Sequence, residues 1–151
     1  MKKNKLEDSL NKLFSNSGYK MVDVSEKNIT HRKALATGEI VLGAEVIKLI
    51  KNKKMPNGDP LSIAEVSGIS GVKKTSELIP LCHPLPLDHI SLHTEINEKK
   101  NSIVVYCLVS ANSKTGVEME ALSGVSSALL AIYDLSKIVE PNLKISNTCS
   151  L

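Results

Sequence analysis

The chain alternates apolar and polar positions in two segments, which is the spacing of strands that bury one face. In residues 30–42 small and apolar side chains share one parity, and Gly38 among them predicts a bulge. Residues 88–96 alternate in the same way. Residues 102–110 are apolar on both parities, so this strand is expected at the centre of a sheet or at a subunit interface. A last short strand is predicted for residues 143–145.

Three longer segments carry apolar residues at the spacing of helices. The first covers residues 44–51, and the third covers residues 117–140 before Pro141. The second extends to about residue 76 from Asp59, a favourable N-cap, and Pro60, which suits the first helical position. Its inward-facing residues are predicted to be Ile63, Val66, Ile69 and Val72, and the small residues Gly68 and Gly71 predict close approach of another backbone.

The order of these elements predicts an α+β plait, an antiparallel sheet with helices packed on one face. We divide the chain into a peripheral arm, residues 1–20, and a single domain, residues 21–151. The arm is predicted either as a short amphipathic helix, stopped at Asn16-Ser17-Gly18, or as a frayed segment. Residues 21–25 alternate like a short extended piece.

The charge and the amino-acid composition of the chain argue against several classes of function. The net charge is +3 and aromatic residues are 3% of the chain, which argues against duplex binding and against a stacking surface for single strands. The sequence shows neither a membrane-spanning apolar run nor a signal peptide, so we expect a cytoplasmic protein without a membrane or nucleic-acid partner. The three cysteines are widely spaced, which argues against a disulfide framework.

Residues 78–85 hold the most unusual side chains, in the order Leu-Ile-Pro-Leu-Cys-His-Pro-Leu. Each proline fixes its own backbone and disfavours helix in the residue before it. The segment is therefore predicted to be an irregular, stiff connection that holds the His83 imidazole. A metal site built from Cys82, His83, His89 and His93 is an alternative, as is simple solvation of the two strand histidines.

Lysines recur at turns and helix ends, namely at Lys73, Lys74, Lys114 and Lys137. Lysines of this kind bind phosphate groups, and an Asp–Lys pair or a histidine can transfer protons. Asp134 and Lys137 lie one helical turn apart, so they form either such a pair or an ordinary surface ion pair. The sequence contains no glycine-rich phosphate loop, and a small polyanionic substrate held by side chains is the class of ligand that fits.

Four stretches closely resemble the cyclic pyranopterin monophosphate synthase family of molybdenum cofactor biosynthesis. They are Met-Val-Asp-Val-Ser at 21–25, the segment 75–85, Lys-Thr-Gly-Val-Glu-Met-Glu-Ala-Leu at 114–122 and Ile-Tyr-Asp-Leu-Ser-Lys at 132–137. The resemblance implies conversion of cyclised dihydro-GTP to cyclic pyranopterin monophosphate with release of pyrophosphate. It implies no redox cofactor. It also implies a ferredoxin-like fold.

The resemblance assigns roles to individual residues. It implies that Asp134 is the catalytic acid/base with Lys137 as its partner. It implies two pocket-lining segments and a set of basic residues near the phosphates. The pocket residues are Leu81, Cys82, His83, Met119 and Glu120; the basic residues are Lys73, Lys74 and Arg32. From the recurrence of lysines at turns we predict Lys114 as a further substrate-binding residue.

The resemblance also implies a homohexamer, a trimer of dimers with each active site shared between two subunits. Two departures from the family pattern stand out. Asn57 occupies a position where a catalytic lysine is common, and residues 147–151 take the place of a glycine- and lysine-rich tail. The alternative function that these departures raise is a family member that binds the nucleotide without turnover.

Overall fold

The computed structural model describes residues 2–15 and 18–151. Four strands form one antiparallel sheet in the order β2-β3-β1-β4. They are β1 (Thr30–Val41), β2 (His89–Asn97), β3 (Ser102–Ser113) and β4 (Lys144–Ser150). β1 pairs with β3 over its whole length. This order, with helices inserted between β1 and β2 and between β3 and β4, is that of a ferredoxin-like plait and confirms the predicted α+β class.

The described residues form five helices in addition to the sheet. They are α1 (Lys2–Phe14), α2 (Ala44–Lys51), α3 (Pro60–Lys73), α4 (Thr75–Leu78) and α5 (Glu118–Ser136). α3 and α5 pack against each other, and both contact the sheet, α5 over β1 and β3 and α3 over β2. The sheet therefore has one covered face, as predicted. None of the described helices is long and apolar enough to cross a membrane.

β3 lies between β2 and β1. This confirms the prediction that a strand apolar on both faces occupies the centre of the sheet. The side chains toward the helices, including Ile103, Val105 and Cys107, are fully buried. Those on the other face, Val104 and Tyr106 among them, are half-buried. Burial raises the pKa of the Cys107 thiol to about 11, so this cysteine is a core residue, as expected.

The predicted inward face of α3 is confirmed at Val72, which is 1% exposed, and is wrong at its three other positions. Ile63, Val66 and Ile69 are 46%, 67% and 36% exposed, whereas Ala64 and Gly68 are buried together with Pro60, Gly71 and Val72. The physical reason is the short distance between α3 and α5. A Cβ on Gly68 would lie 3.1 Å from the Gly124 carbonyl oxygen, so small residues occupy the contact and the larger ones face outward.

The predicted close approach at Gly68 and Gly71 is confirmed, and α5 is the backbone that approaches. A Cβ on Gly71 would lie 2.9 Å from the Ser123 carbonyl oxygen. The bulge predicted at Gly38 is also present, because the register between β1 and β4 shifts between Thr37 and Glu39.

Several boundaries differ from the predictions. α3 ends at Lys73, and α4 forms a separate turn where one continuous helix was expected. α5 begins at Glu118 and ends at Ser136, β3 extends to Ser113, and β4 extends to Ser150. Backbone pairing with β1 explains the length of β4, whose polar side chains gave no strand pattern.

The N-terminal arm forms a helix, α1, whose Leu6, Leu10 and Leu13 side chains are exposed. The predicted stop includes Asn16 and Ser17, which lie outside the described residues. Residues 21–25 form no strand, so the extended piece predicted there is an irregular segment. The division into an arm and a domain stays a prediction.

Candidate active site

The direction of the chain places the candidate residues at two opposite ends of the domain. β1 and β2 run one way and β3 and β4 the other, because all neighbouring strands are antiparallel. The crossovers α3 and α5 must then run antiparallel to each other. We call the end where Thr30 pairs with Ser113 the pocket end, and the end where Val41 pairs with Ser102 the ion-pair end.

A cavity of about 410 Å³ lies at the pocket end. It brings together the predicted residues Leu81, Cys82, His83 and Met119. Its other lining residues are Val22, Val24, Lys27, Ile79, Leu85, Thr115, Gly116 and Glu118. The wall is mainly apolar, with a few polar groups, which is the usual composition of a small-molecule site.

One wall of this cavity is formed by residues 79–85, which we call the proline-bounded segment. The segment begins where α4 ends, at Leu78. The Ile79 amide donates to the Thr75 carbonyl and closes the last helical turn, and the Cys82 amide donates to the Ile79 carbonyl in the next turn. Residues 79–88 contain no helix or strand. This confirms the irregular connection that the prolines predicted.

Glu120 lies under the cavity and is only 3% exposed. Its Oε1 is 3.8 Å from the Cys82 sulfur, and its Oε2 is buried without a hydrogen-bond partner in the described part of the chain. Burial raises the pKa of this carboxyl. Burial and the nearby Glu120 carboxylate also raise the pKa of the Cys82 thiol. A carboxyl with a raised pKa can hold or release a proton nearer to neutral pH than an exposed one.

The predicted basic residues lie at the pocket end but do not line this cavity. Lys73 and Lys74 are exposed at the end of α3. Arg32 stands opposite Ala111 near the start of β1, and its Nε is buried without a partner among the described residues. Lys114 lines an adjoining cavity of about 390 Å³ together with His83.

Asp134 and Lys137 lie at the ion-pair end. Lys137 Nζ donates to Asp134 Oδ1 at 2.6 Å, and the two side chains are 57% and 69% exposed. This hydrogen bond raises the pKa of the Lys137 ammonium. Met119 and Asp134 are 15 positions apart on α5, which corresponds to about 22 Å along a helix. One chain therefore does not bring His83 and Asp134 together.

The Asn57 turn is also at the ion-pair end, because it leads into α3. Asn57 is exposed, and Gly58 has a φ of 100° that favours glycine. Asp59 accepts hydrogen bonds from the Leu61 amide at 3.1 Å and from the Ser62 hydroxyl at 2.5 Å. The predicted N-cap and the Pro60 helix start are confirmed.

Three residues of the cavity were not predicted from the sequence, namely Val22, Val24 and Lys27. They belong to an irregular segment that the sequence marked by the alternation of residues 21–25 and by its family resemblance, neither of which indicated a cavity wall. The histidines of β2 are both exposed. No three His, Cys, Asp or Glu side chains are grouped to hold a metal ion within residues 2–15 and 18–151.

Comparison with known proteins identifies the family. The MoaC family model matches residues 21–150. The chain is 49% identical over 127 residues to a probable cyclic pyranopterin monophosphate synthase of Pyrococcus horikoshii, covering 84% of this chain and 79% of the relative. It is 47% identical over 135 residues to the cyclic pyranopterin monophosphate synthase of Clostridium perfringens strain SM101, covering 89% and 85%. It is 39% identical to the Heliobacterium modesticaldum synthase over 140 residues, covering 93% and 88%. This chain belongs to the MoaC family.

Proposed function

We propose that this protein is a cyclic pyranopterin monophosphate synthase, a lyase of molybdenum cofactor biosynthesis. The observation that carries the proposal is the family match over residues 21–150. That range includes both the cavity at the pocket end and the Asp134–Lys137 pair. Relatives that are 39% to 49% identical bear this enzyme's name.

The proposed reaction converts cyclised dihydro-GTP to the cyclic phosphate. A sugar hydroxyl attacks the α-phosphorus, the bond from that phosphorus to the bridging oxygen breaks, and pyrophosphate leaves. Ring opening and closure of a pyran ring require proton transfers. We assign these transfers to Asp134, with Lys137 as its charged partner.

The pocket end is assigned to substrate binding. Leu81, Cys82 and His83 form one wall, Met119 forms another, and Glu120 is buried beneath them. The basic residues at the same end of the domain suit the charge of a triphosphate. They are Lys73, Lys74, Arg32 and Lys114.

We further propose that the active site is shared between subunits of a homohexamer, a trimer of dimers. The helical distance of about 22 Å between Met119 and Asp134 supports this, since a neighbouring chain could bring an Asp134 to the cavity. The exposed apolar side chains of α3, Ile63 and Val66, also suit an interface. We propose the cytoplasm as the compartment, where nucleotide substrates are available.

The test is a pyrophosphate-release assay on the purified chain with cyclised dihydro-GTP. We expect one pyrophosphate per cyclic phosphate formed. Correctly folded, concentrated protein that releases no pyrophosphate would contradict the proposal.

Asn57 motivates one alternative, a protein that binds the nucleotide without turnover. Asparagine is uncharged and does not transfer protons as a lysine does. Calorimetry with cyclised dihydro-GTP would then show binding without product, and Asn57→Lys would restore pyrophosphate release. Turnover by the unaltered chain excludes this alternative.

A further inference from the structure

We propose that Lys27 is a further substrate-binding residue, whose ammonium group binds the phosphate groups of a nucleotide held against His83. This inference rests on the proposed function, because it takes a phosphorylated nucleotide as the ligand. It adds a third wall to the cavity, the segment of residues 21–27.

The composition of the cavity carries the inference. Among the described residues that line it, Lys27 is the one lysine or arginine. Glu118 also lines the cavity, and Glu120 lies beneath it. A polyphosphate would be repelled by these carboxylates if no cation faced it, and a lysine ammonium is a common phosphate ligand.

The segment that carries Lys27 is held in place by a chain of hydrogen bonds. The Lys27 amide donates to the Val24 carbonyl at 3.1 Å. The Asp23 carboxylate accepts from the Ser25 amide at 2.9 Å. Lys114 Nζ donates to the Ser25 carbonyl at 2.8 Å. The turn is therefore attached to the loop before α5, and Lys27 is kept beside the cavity.

Lys114 acquires a second role from this contact. Its ammonium group bonds to the Ser25 carbonyl, so it positions the third wall in addition to lining the adjoining cavity. Val22 and Val24 supply the apolar part of the same wall. Within this one short segment, Val22 and Val24 are placed to contact the planar ring of a nucleotide, and Lys27 is placed to contact its phosphate chain.

The experiment compares Lys27→Gln with Lys20→Gln. Both substitutions remove one lysine charge from the same exposed stretch, but Lys20 does not line this cavity. Isothermal calorimetry with inorganic triphosphate measures Kd, and the pyrophosphate assay measures KM. We expect Lys27→Gln to raise both values at least tenfold, Lys20→Gln to change them less than twofold and Lys27→Arg to restore most of the affinity. Thermal unfolding verifies that all three variants fold.

Two outcomes would overturn the inference: no measurable binding of triphosphate to the unaltered protein, or a Kd that Lys27→Gln leaves unchanged. The failure of the proposed function looks different. In that case the unaltered protein binds triphosphate, Lys27→Gln weakens the binding, and no variant releases pyrophosphate.

Discussion

The Cys82 sulfur lies 3.8 Å from Oε1 of Glu120, a residue 38 positions further along the chain. This contact joins the proline-bounded segment to the first turn of α5. The proline-bounded segment and the start of α5 are therefore adjoining walls of one cavity. The contact also places a buried carboxyl beneath the proposed substrate site.

Glu120→Gln is expected to lower turnover at least tenfold. The substitution keeps the size of the side chain but removes the proton that a carboxyl with a raised pKa can exchange. Steady-state kinetics of pyrophosphate release measures the effect. Glu65→Gln on the exposed surface of α3 is the control and should change turnover less than twofold. Equal rates for the unaltered protein and Glu120→Gln would contradict a role in proton transfer.

Stability should depend on pH through the same carboxyl. Its pKa in the folded protein is raised above the ordinary value of 4.5 by burial, so between these two pKa values the folded state binds more protons than the unfolded state. The contribution of Glu120 to stability is therefore present below about pH 4.5 and is lost as pH rises through the folded pKa.

Chemical denaturation from pH 4 to pH 8 tests whether the contribution of Glu120 to stability falls as pH rises. The free energy of unfolding of the unaltered protein, minus that of Glu120→Gln, should fall as pH rises and then level off. Taking the difference removes the titration of the other carboxyls. A difference that is flat, or that rises with pH, would contradict the burial of Glu120.

Asp134→Asn is expected to reduce turnover by about 100-fold or more, which is typical for removal of a general acid/base. Stability should hardly change, because the Asp134–Lys137 pair is exposed and exposed pairs stabilise proteins little. Glu98→Gln is a matched control, since Glu98 forms another exposed ion pair, with Lys51. Comparable rates for Asp134→Asn and Glu98→Gln would show that Asp134 is an ordinary surface residue.

Much of the fold could be predicted from local chemistry. The Asp59–Pro60 helix start and the alternation in β2 are consequences of hydrogen bonding and of one-sided burial, which a sequence displays directly. The face of α3 could not be predicted in this way. Its isoleucines and valines follow helical spacing, but whether such a stripe faces the core or the outside depends on how closely α5 approaches.

The individual segments of the candidate site could be predicted from the sequence, but their arrangement in space could not. The proline-bounded segment and the lysines stand out in the sequence, and the family resemblance groups them. The separation of His83 from Asp134 depends on strand order and helix direction, which no single segment reveals. Lys27 was missed because its place beside the cavity is fixed by the distant Lys114.

Gly71→Ala tests the packing of α3 on α5. A methyl group at Gly71 would lie 2.9 Å from the Ser123 carbonyl and 2.6 Å from the Ser127 Cβ, and overpacking of this kind destabilises by about 1–3 kcal/mol. The gain in helix propensity, about 1 kcal/mol, opposes it. We expect a net loss of up to ~2 kcal/mol by urea denaturation. Gly18→Ala, where no side chain or backbone atom of the described, non-adjacent residues lies within 4 Å of the new methyl, should be neutral. A stabilised Gly71→Ala would show that the helices can move apart.

Mixed oligomers test whether two chains build one site. His83→Ala and Asp134→Asn impair opposite ends of the domain, and each alone should abolish most turnover. When the two variants are co-expressed with different tags and purified together, a site that takes one end from each of two randomly chosen chains is intact in about a quarter of cases. We therefore expect about a quarter of the unaltered turnover.

A control for the mixing experiment combines Asp134→Asn with Lys137→Gln. Both substitutions affect the ion-pair end, so no pairing of these chains yields an intact site, and turnover should stay at the level of the single variants. If the His83→Ala and Asp134→Asn mixture also stays at that level while its oligomers are intact, the site is not shared. Asp134 would then not act at the cavity, because a rigid helix of 19 residues holds it about 22 Å from Met119 of the same chain.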